Sequence, residues 1–195
     1  MNPALPFVPN QVLLFSGHMA DAPYRARPRL PDYKLPQAAQ ALQQAVDALG
    51  AGAGDLLLTQ GAAGGDLLCA EACLSRGVRV QLLLPLAEPA FIECSLLPAA
   101  DGEHWRQRYL ALKDALQRPP RVVPDELGPL PEGTNAFERC NLWLLHTALA
   151  YGAQKLRFIC LWDGGGGDGP GGTRHMVQEV KRRTGRVAWV DTRTL

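Results

Sequence analysis

Apolar and amphipathic runs alternate along the chain. Residues 11–15 (QVLLF) form a short apolar run ending at Ser16, Gly17 and His18, the pattern of a buried strand entering a turn. Residues 36–49 carry helix formers, with Pro36 at their start and Gly50 just past their end, which predicts a helix. A second strand is expected at 55–59, a helix at 65–75 closed by Arg76 and Gly77, and a third strand at 78–84 stopped by Pro85. Residues 88–94 and 102–117 read as helices, 121–123 as a brief strand and 124–134 as a long proline-rich loop. An amphipathic helix over 135–151, a strand over Leu156–Trp162, a helix containing 176–183 and a strand at 187–190 complete the pattern.

Strands separated by helices in this order predict a three-layer Rossmann-like α/β fold. Its mostly parallel sheet has about six strands, with helices on both faces. The proline-rich stretch 118–134 resembles a linker, but the portion of the chain beyond it is too small to stand alone. Residues 1–195 are therefore expected to form a single domain. Ligands of such sheets bind outside the carboxyl ends of the strands. That rule directs attention to the turns after the first, second and fifth strands.

The second of these turns reads Gly61-Ala62-Ala63-Gly64-Gly65-Asp66. Its glycines and alanines let backbone approach a ligand, and the helix after it offers unpaired amides to an anion. Asp66 either caps that helix or meets a ribose hydroxyl or other polar ligand group. After the fifth strand, residues 163–173 read DGGGGDGPGGT. Pro170, Gly171, Gly172 and Thr173 stand just before a helix, where they can cradle a phosphate or sugar. A mobile connector is the alternative, and Asp163 and Asp168 would repel phosphate unless they meet hydroxyls or a metal. Trp162 ends its strand beside this loop, placed to stack on a base; Trp105, Trp143 and Trp189 read as core residues. The first turn supplies Gly17 and His18, then Asp21, Arg25, Arg27 and Arg29, whose guanidinium forks suit phosphate. His175 is near enough in sequence to reach the same cleft.

Composition narrows the classes. The chain has 195 residues, 47% apolar and 20% charged, a globular balance. A net charge of +1 gives no reason to expect nucleic acid or an anionic membrane as partner. Five cysteines without a C-x-x-C pair read as small buried hydrophobes in a reducing compartment, not as a metal site. Pro3, Pro6 and Pro9 interrupt the amino-terminal segment, and no apolar run approaches about 18 residues, so a cytoplasmic protein with no membrane span is expected. The chain has no G-x-S-x-G elbow, P-loop or H-E-x-x-H.

The segments LFSGH, TQGAAGGDLLCAEACLSRGVRVQLLLP and DGPGGTRHMVQEV together resemble the SLOG superfamily of Rossmann-like domains, over about residues 11 to 192. That superfamily includes the Lonely Guy (LOG) proteins, the DprA/Smf proteins and nucleotide-sensing modules. The resemblance implies a nucleotide or nucleotide-derived ligand, no required cofactor, and a sensing or binding module. It leaves open a homo-oligomer or an effector partner. It also implies an alternative, a LOG-like hydrolase cleaving the N-glycosidic bond of a nucleoside monophosphate, for which Asp66 and Glu179 are the candidate catalytic residues. LOG enzymes carry P-G-G-x-G-T-x-x-E; here Thr173 directly follows Gly172, and Glu179 stands six residues beyond it, so the sensor branch is the nearer match. The DprA branch binds single-stranded DNA, but this chain lacks a basic stripe with interleaved aromatics. The expected binding set is Gly17, His18, Arg25, Arg27, Gly61, Ala62, Gly64, Gly65, Asp66, Trp162, Gly171, Gly172 and Thr173.

Overall fold

The computed structural model describes residues 7–166, 171–184 and 186–195. Pro170 and Asp168 lie outside them. Six parallel strands form one sheet: β1 (Val12–Gly17), β2 (Leu56–Thr59), β3 (Arg79–Leu84), β4 (Arg121–Val122), β5 (Leu156–Trp162) and β6 (Val187–Asp191). Their order is β4-β3-β2-β1-β5-β6. The helices are α1 (Leu35–Ala48), α2 (Gly65–Leu74), α3 (Glu88–Ser95), α4 (Gly102–Asp114), α5 (Val123–Leu127), α6 (Ala136–Leu149) and α7 (Thr173–Arg183). The expected three-layer α/β architecture is the one observed.

Side chains alternate across a strand, so each strand feeds two cores. On one face Leu13, Phe15, Leu57, Leu82 and Ile159 pack with α1, α2 and α4. On the other, Val12, Leu14, Leu58, Phe158 and Cys160 meet Leu144 and Ala148 of α6 and Met176 and Val180 of α7. Burial on both sides explains why the central strands read as unbroken apolar runs. Helix α1 buries only the stripe Ala38, Leu42 and Val46, whereas α2 is buried nearly all round. Among the described residues no helix is long and apolar enough to cross a membrane.

Three details depart from the sequence pattern. Part of the proline-rich stretch forms α5, because Pro124 occupies its first turn, where a missing amide hydrogen does no harm. Gly128, at φ +75°, ends that helix. Trp189 is 49% exposed on the edge strand β6 and packs on Trp162, so it is no core residue. Cys94 is exposed, while the other four cysteines are buried.

The chain builds β1 to β4 outward in one direction, then crosses back through α6 to lay β5 on the other side of β1. It leaves β1 toward the α1 face and β5 toward the α7 face. A crevice therefore opens at the carboxyl ends of β1 and β5. The β2–α2 turn closes one side of it through a backbone contact. Gly64, at φ +90°, pairs with Met19, and a Cβ on Gly64 would lie 2.3 Å from the Ala20 nitrogen. Ala20 N donates to Ala63 O and Gly65 N to His18 O.

Replacing Gly64 with alanine should therefore unfold the crevice. Gly50→Ala is the reference, since Gly50 also has positive φ (+60°) but nothing within 4 Å of its missing Cβ. Urea unfolding is expected to show a loss of about 1 kcal/mol for Gly50→Ala. For Gly64→Ala the loss should be on the order of 3 kcal/mol or more. Equal losses would contradict the backbone contact.

Candidate functional site

The crevice holds a cavity of about 450 Å³. Ser16, Gly17 and His18 enter it from the end of β1, and Arg25 and Arg29 from the segment after that strand. Gln60, Ala62 and Asp66 come from the β2–α2 turn, Asn135, Phe137 and Asn141 from the start of α6, and Trp162 from the end of β5. Gly171, Gly172, Thr173 and Arg174 bring the first turn of α7 to the wall.

Buried polar contacts hold these pieces in register. Asn141 is 2% exposed; its amide oxygen accepts from Gln60 Nε2 at 2.9 Å, and its Nδ2 donates to the Gly171 carbonyl. One side chain of α6 thus ties the end of β2 to the turn before α7. Gly171 has φ +84°, and a Cβ there would lie 2.6 Å from the Glu138 nitrogen, so the turn seats directly on the start of α6. Asn135 caps α6 by accepting from the amides of Phe137 and Glu138. Thr173 and Ser16 bring their hydroxyls within 3.4 Å across the end of β1.

Asp66 stands at the floor, 8% exposed. Its Oδ2 accepts from the amides of Gly61 (3.1 Å) and Ala62 (3.3 Å). Burial raises the carboxyl from 3.8 to about 6, against the downward pull of those amide bonds. His18 is 5% exposed, with Nε2 at 3.1 Å from both the Asp163 amide and its carboxylate. Burial and the charge of Arg29 hold the imidazole below 6.5, although Asp163 pulls it upward. For Asp163 itself, burial pushes the pKa up, but the Gly165 amide, His18 and Arg29 outweigh it and keep the carboxylate low. The cavity therefore pairs a buried carboxyl near neutrality with a neutral imidazole, below a rim carrying Arg25, Arg29 and Arg174.

Of the residues singled out from sequence, Gly17, His18, Arg25, Ala62, Asp66, Trp162, Gly171, Gly172 and Thr173 line this cavity. The others stand elsewhere. Arg27 is exposed, and its carbonyl accepts from Arg25 Nε. Gly61, Gly64 and Gly65 serve the chain itself: the Gly61 amide holds Asp66, and the other two pack on residues 18–20. Glu179 lies further along α7, bound by Arg182 and Arg183, with the Arg183 bond holding its carboxylate low. His175 faces Glu138 at 3.4 Å rather than the cavity. Sequence reading missed Ser16, Gln60, Asn135, Asn141 and Arg174. Only Asn135, a standard cap residue before an apolar run, carried a signal that could have been used.

No protein-family model matches the chain, and no curated protein matches it. Among solved structures it is similar to the Moco carrier protein of Chlamydomonas reinhardtii, at 14% identity and a TM-score of 0.36, over 94% of this chain and 91% of that one.

The raised Asp66 carboxyl has a consequence for stability. Its neutral form is favoured on folding, so the stabilisation is complete below pH 3.8 and lost as pH rises through about 6. Urea unfolding of the wild type and Asp66→Asn across that window should show wild-type stability falling relative to the variant by about 1.4 kcal/mol per pH unit. Parallel pH profiles would contradict the burial of this carboxyl.

Proposed function

We propose that the chain binds a nucleotide or nucleotide-derived ligand in this cavity and acts as a sensing or binding module. The observation that carries the reading is the cavity's place and lining. It sits where three parallel strand ends meet, between an arginine rim and the first turn of α7, with an indole at one wall. The resemblance to the SLOG superfamily supports the same ligand class.

The lining also suggests an orientation. At the turn over 61–66 the amides of Gly61 and Ala62 are already given to a carboxylate, so that turn is a poor phosphate cradle. The first turn of α7 is the better one: helix-start amides lack intrahelical partners, Ser16 and Thr173 add hydroxyls, and Arg174 adds charge. Trp162 then offers its face to the base. Its indole nitrogen is given to the Gly165 carbonyl and its ring packs on Trp189, which leaves the ring fixed in place.

A second reading, hydrolysis of an N-glycosidic bond, is favoured by one observation: a carboxyl near neutrality, able to hand over a proton, lines the cavity at Asp66. Glu179, the other carboxylate weighed for that chemistry, stands outside the lining. Incubation with nucleoside monophosphates separates the two readings, since a sensor binds them without releasing free base.

The test of binding is a thermal-shift panel of mononucleotides, cyclic nucleotides, NAD and ADP-ribose. A true ligand at a hundredfold excess over its Kd adds about 2.7 kcal/mol, which raises Tm by roughly 5–10 °C for a chain of this size. Arg174→Ala and Trp162→Ala should each reduce that shift. A flat response to the whole panel would reject the reading.

A further inference from the structure

Hydrogen-bond acceptors and donors are segregated within the cavity. The rim presents Arg174, a donor, while Arg25 already meets Asp21 and the Arg27 carbonyl. The floor presents acceptors. Asp66 uses Oδ2 for the two turn amides; the Thr59 hydroxyl and the Gln60 amide also pull its carboxyl down against burial, and no cation among the described residues does. Gln60, which lines the same cavity, gives its Nε2 to Asn141, so its amide oxygen is its acceptor end. An occupant that satisfies both ends is anionic at one end and donates hydrogen bonds at the other.

We infer that Asp66 and Gln60 receive the vicinal hydroxyls of a ribose, with the ligand's phosphate held at Ser16, Thr173 and Arg174. The inference rests on the nucleotide reading and assigns the sugar's place within it. Strands β1 and β2 are hydrogen-bonded neighbours, so their ends stand about 5 Å apart, within the reach of one ribose 5′-phosphate.

Binding at this position is linked to a proton. An ionised carboxylate accepts a hydroxyl hydrogen bond more strongly than a neutral carboxyl does, so binding favours the ionised form and expels the Asp66 proton. The ionisable groups around Asp66 are His18 at the end of β1, Arg25 and Arg29 in the segment after it, Cys69 on α2, Cys140 on α6 and Arg174 on α7. Burial raises the Cys140 thiol, and a hydrogen bond to Cys73 with burial raises Cys69, so both stay neutral around pH 6. Burial and the charge of Arg29 hold the His18 imidazole below 6.5, and that histidine is common to the wild type and an Asp66 variant.

Calorimetric titration of the full chain with adenosine 5′-monophosphate and its 2′-deoxy and 3′-deoxy analogues tests this. Loss of either hydroxyl should weaken binding to the wild type roughly tenfold, whereas Asp66→Asn should stop discriminating against one of the two analogues, the one lacking the hydroxyl that Asp66 receives, and keep the discrimination that Gln60 provides. The wild-type to Asp66→Asn affinity ratio should rise by up to about tenfold per pH unit below pH 6 and level off above it. The protonation of the phosphate and of His18 cancels in that ratio. As a check that needs no variant, the wild type near pH 6 should release more protons on binding the ribonucleotide than on binding the deoxy analogue that lacks the hydroxyl received by Asp66. Equal affinity for all three compounds, or a ratio that is flat or falls with pH, overturns the inference and leaves nucleotide binding standing. Failure of the ribonucleotide, NAD and ADP-ribose to bind at all overturns both.

Discussion

The backbone contact between Gly64 and residues 19–20 sets the geometry on which the rest of the crevice depends. It brings the β2–α2 turn against the segment leaving β1, closer than any side chain would permit. With that distance set, Asp66 reaches the floor of the cavity and the Gly61 and Ala62 amides reach its carboxylate. The α2 helix, buried nearly all round, leaves no slack to absorb a shift at its start.

A second constraint acts from the opposite side of the sheet. Asn141, fully enclosed within α6, can satisfy its amide only by bonding Gln60 on one side and Gly171 on the other. Leaving either group unpaired in the interior carries a desolvation penalty, so the end of β2 and the turn before α7 move together or not at all. The cavity is thus walled by parts held through backbone contacts and buried amides. The ionisable side chains inside it owe their shifted protonation to that enclosure. Asp66 is pushed up and His18 pushed down by the same loss of water.

The amphipathic pattern made the layers legible. Doubly buried strands show as unbroken apolar runs, helices show their periodicity, and alternation between them implies a parallel sheet. The carboxyl-end rule then pointed to three turns, and residues from all three line the cavity. The glycine-rich turn at 61–66 was the instructive case. Its composition marked a close approach of backbone, but composition does not say to what. In the fold the partner is the chain's own segment at 18–20, and the members of the turn that line the cavity are Ala62 and Asp66. Gln60 and Asn141 gave no local signal, because their roles depend on residues 81 and 30 positions away in the sequence.

The fold class, the strand ends that matter and the residue types available there were therefore determined by the sequence alone. They derive from periodicity and chain direction, which are local properties. Only the tertiary structure decided which of these groups stand away from the cavity and which line it. Arg27, Glu179 and the glycines at 61, 64 and 65 went one way; Asp66, Ser16 and Arg174 went the other. That division rests on hydrogen-bond partners and burial, and both are created when distant segments pack.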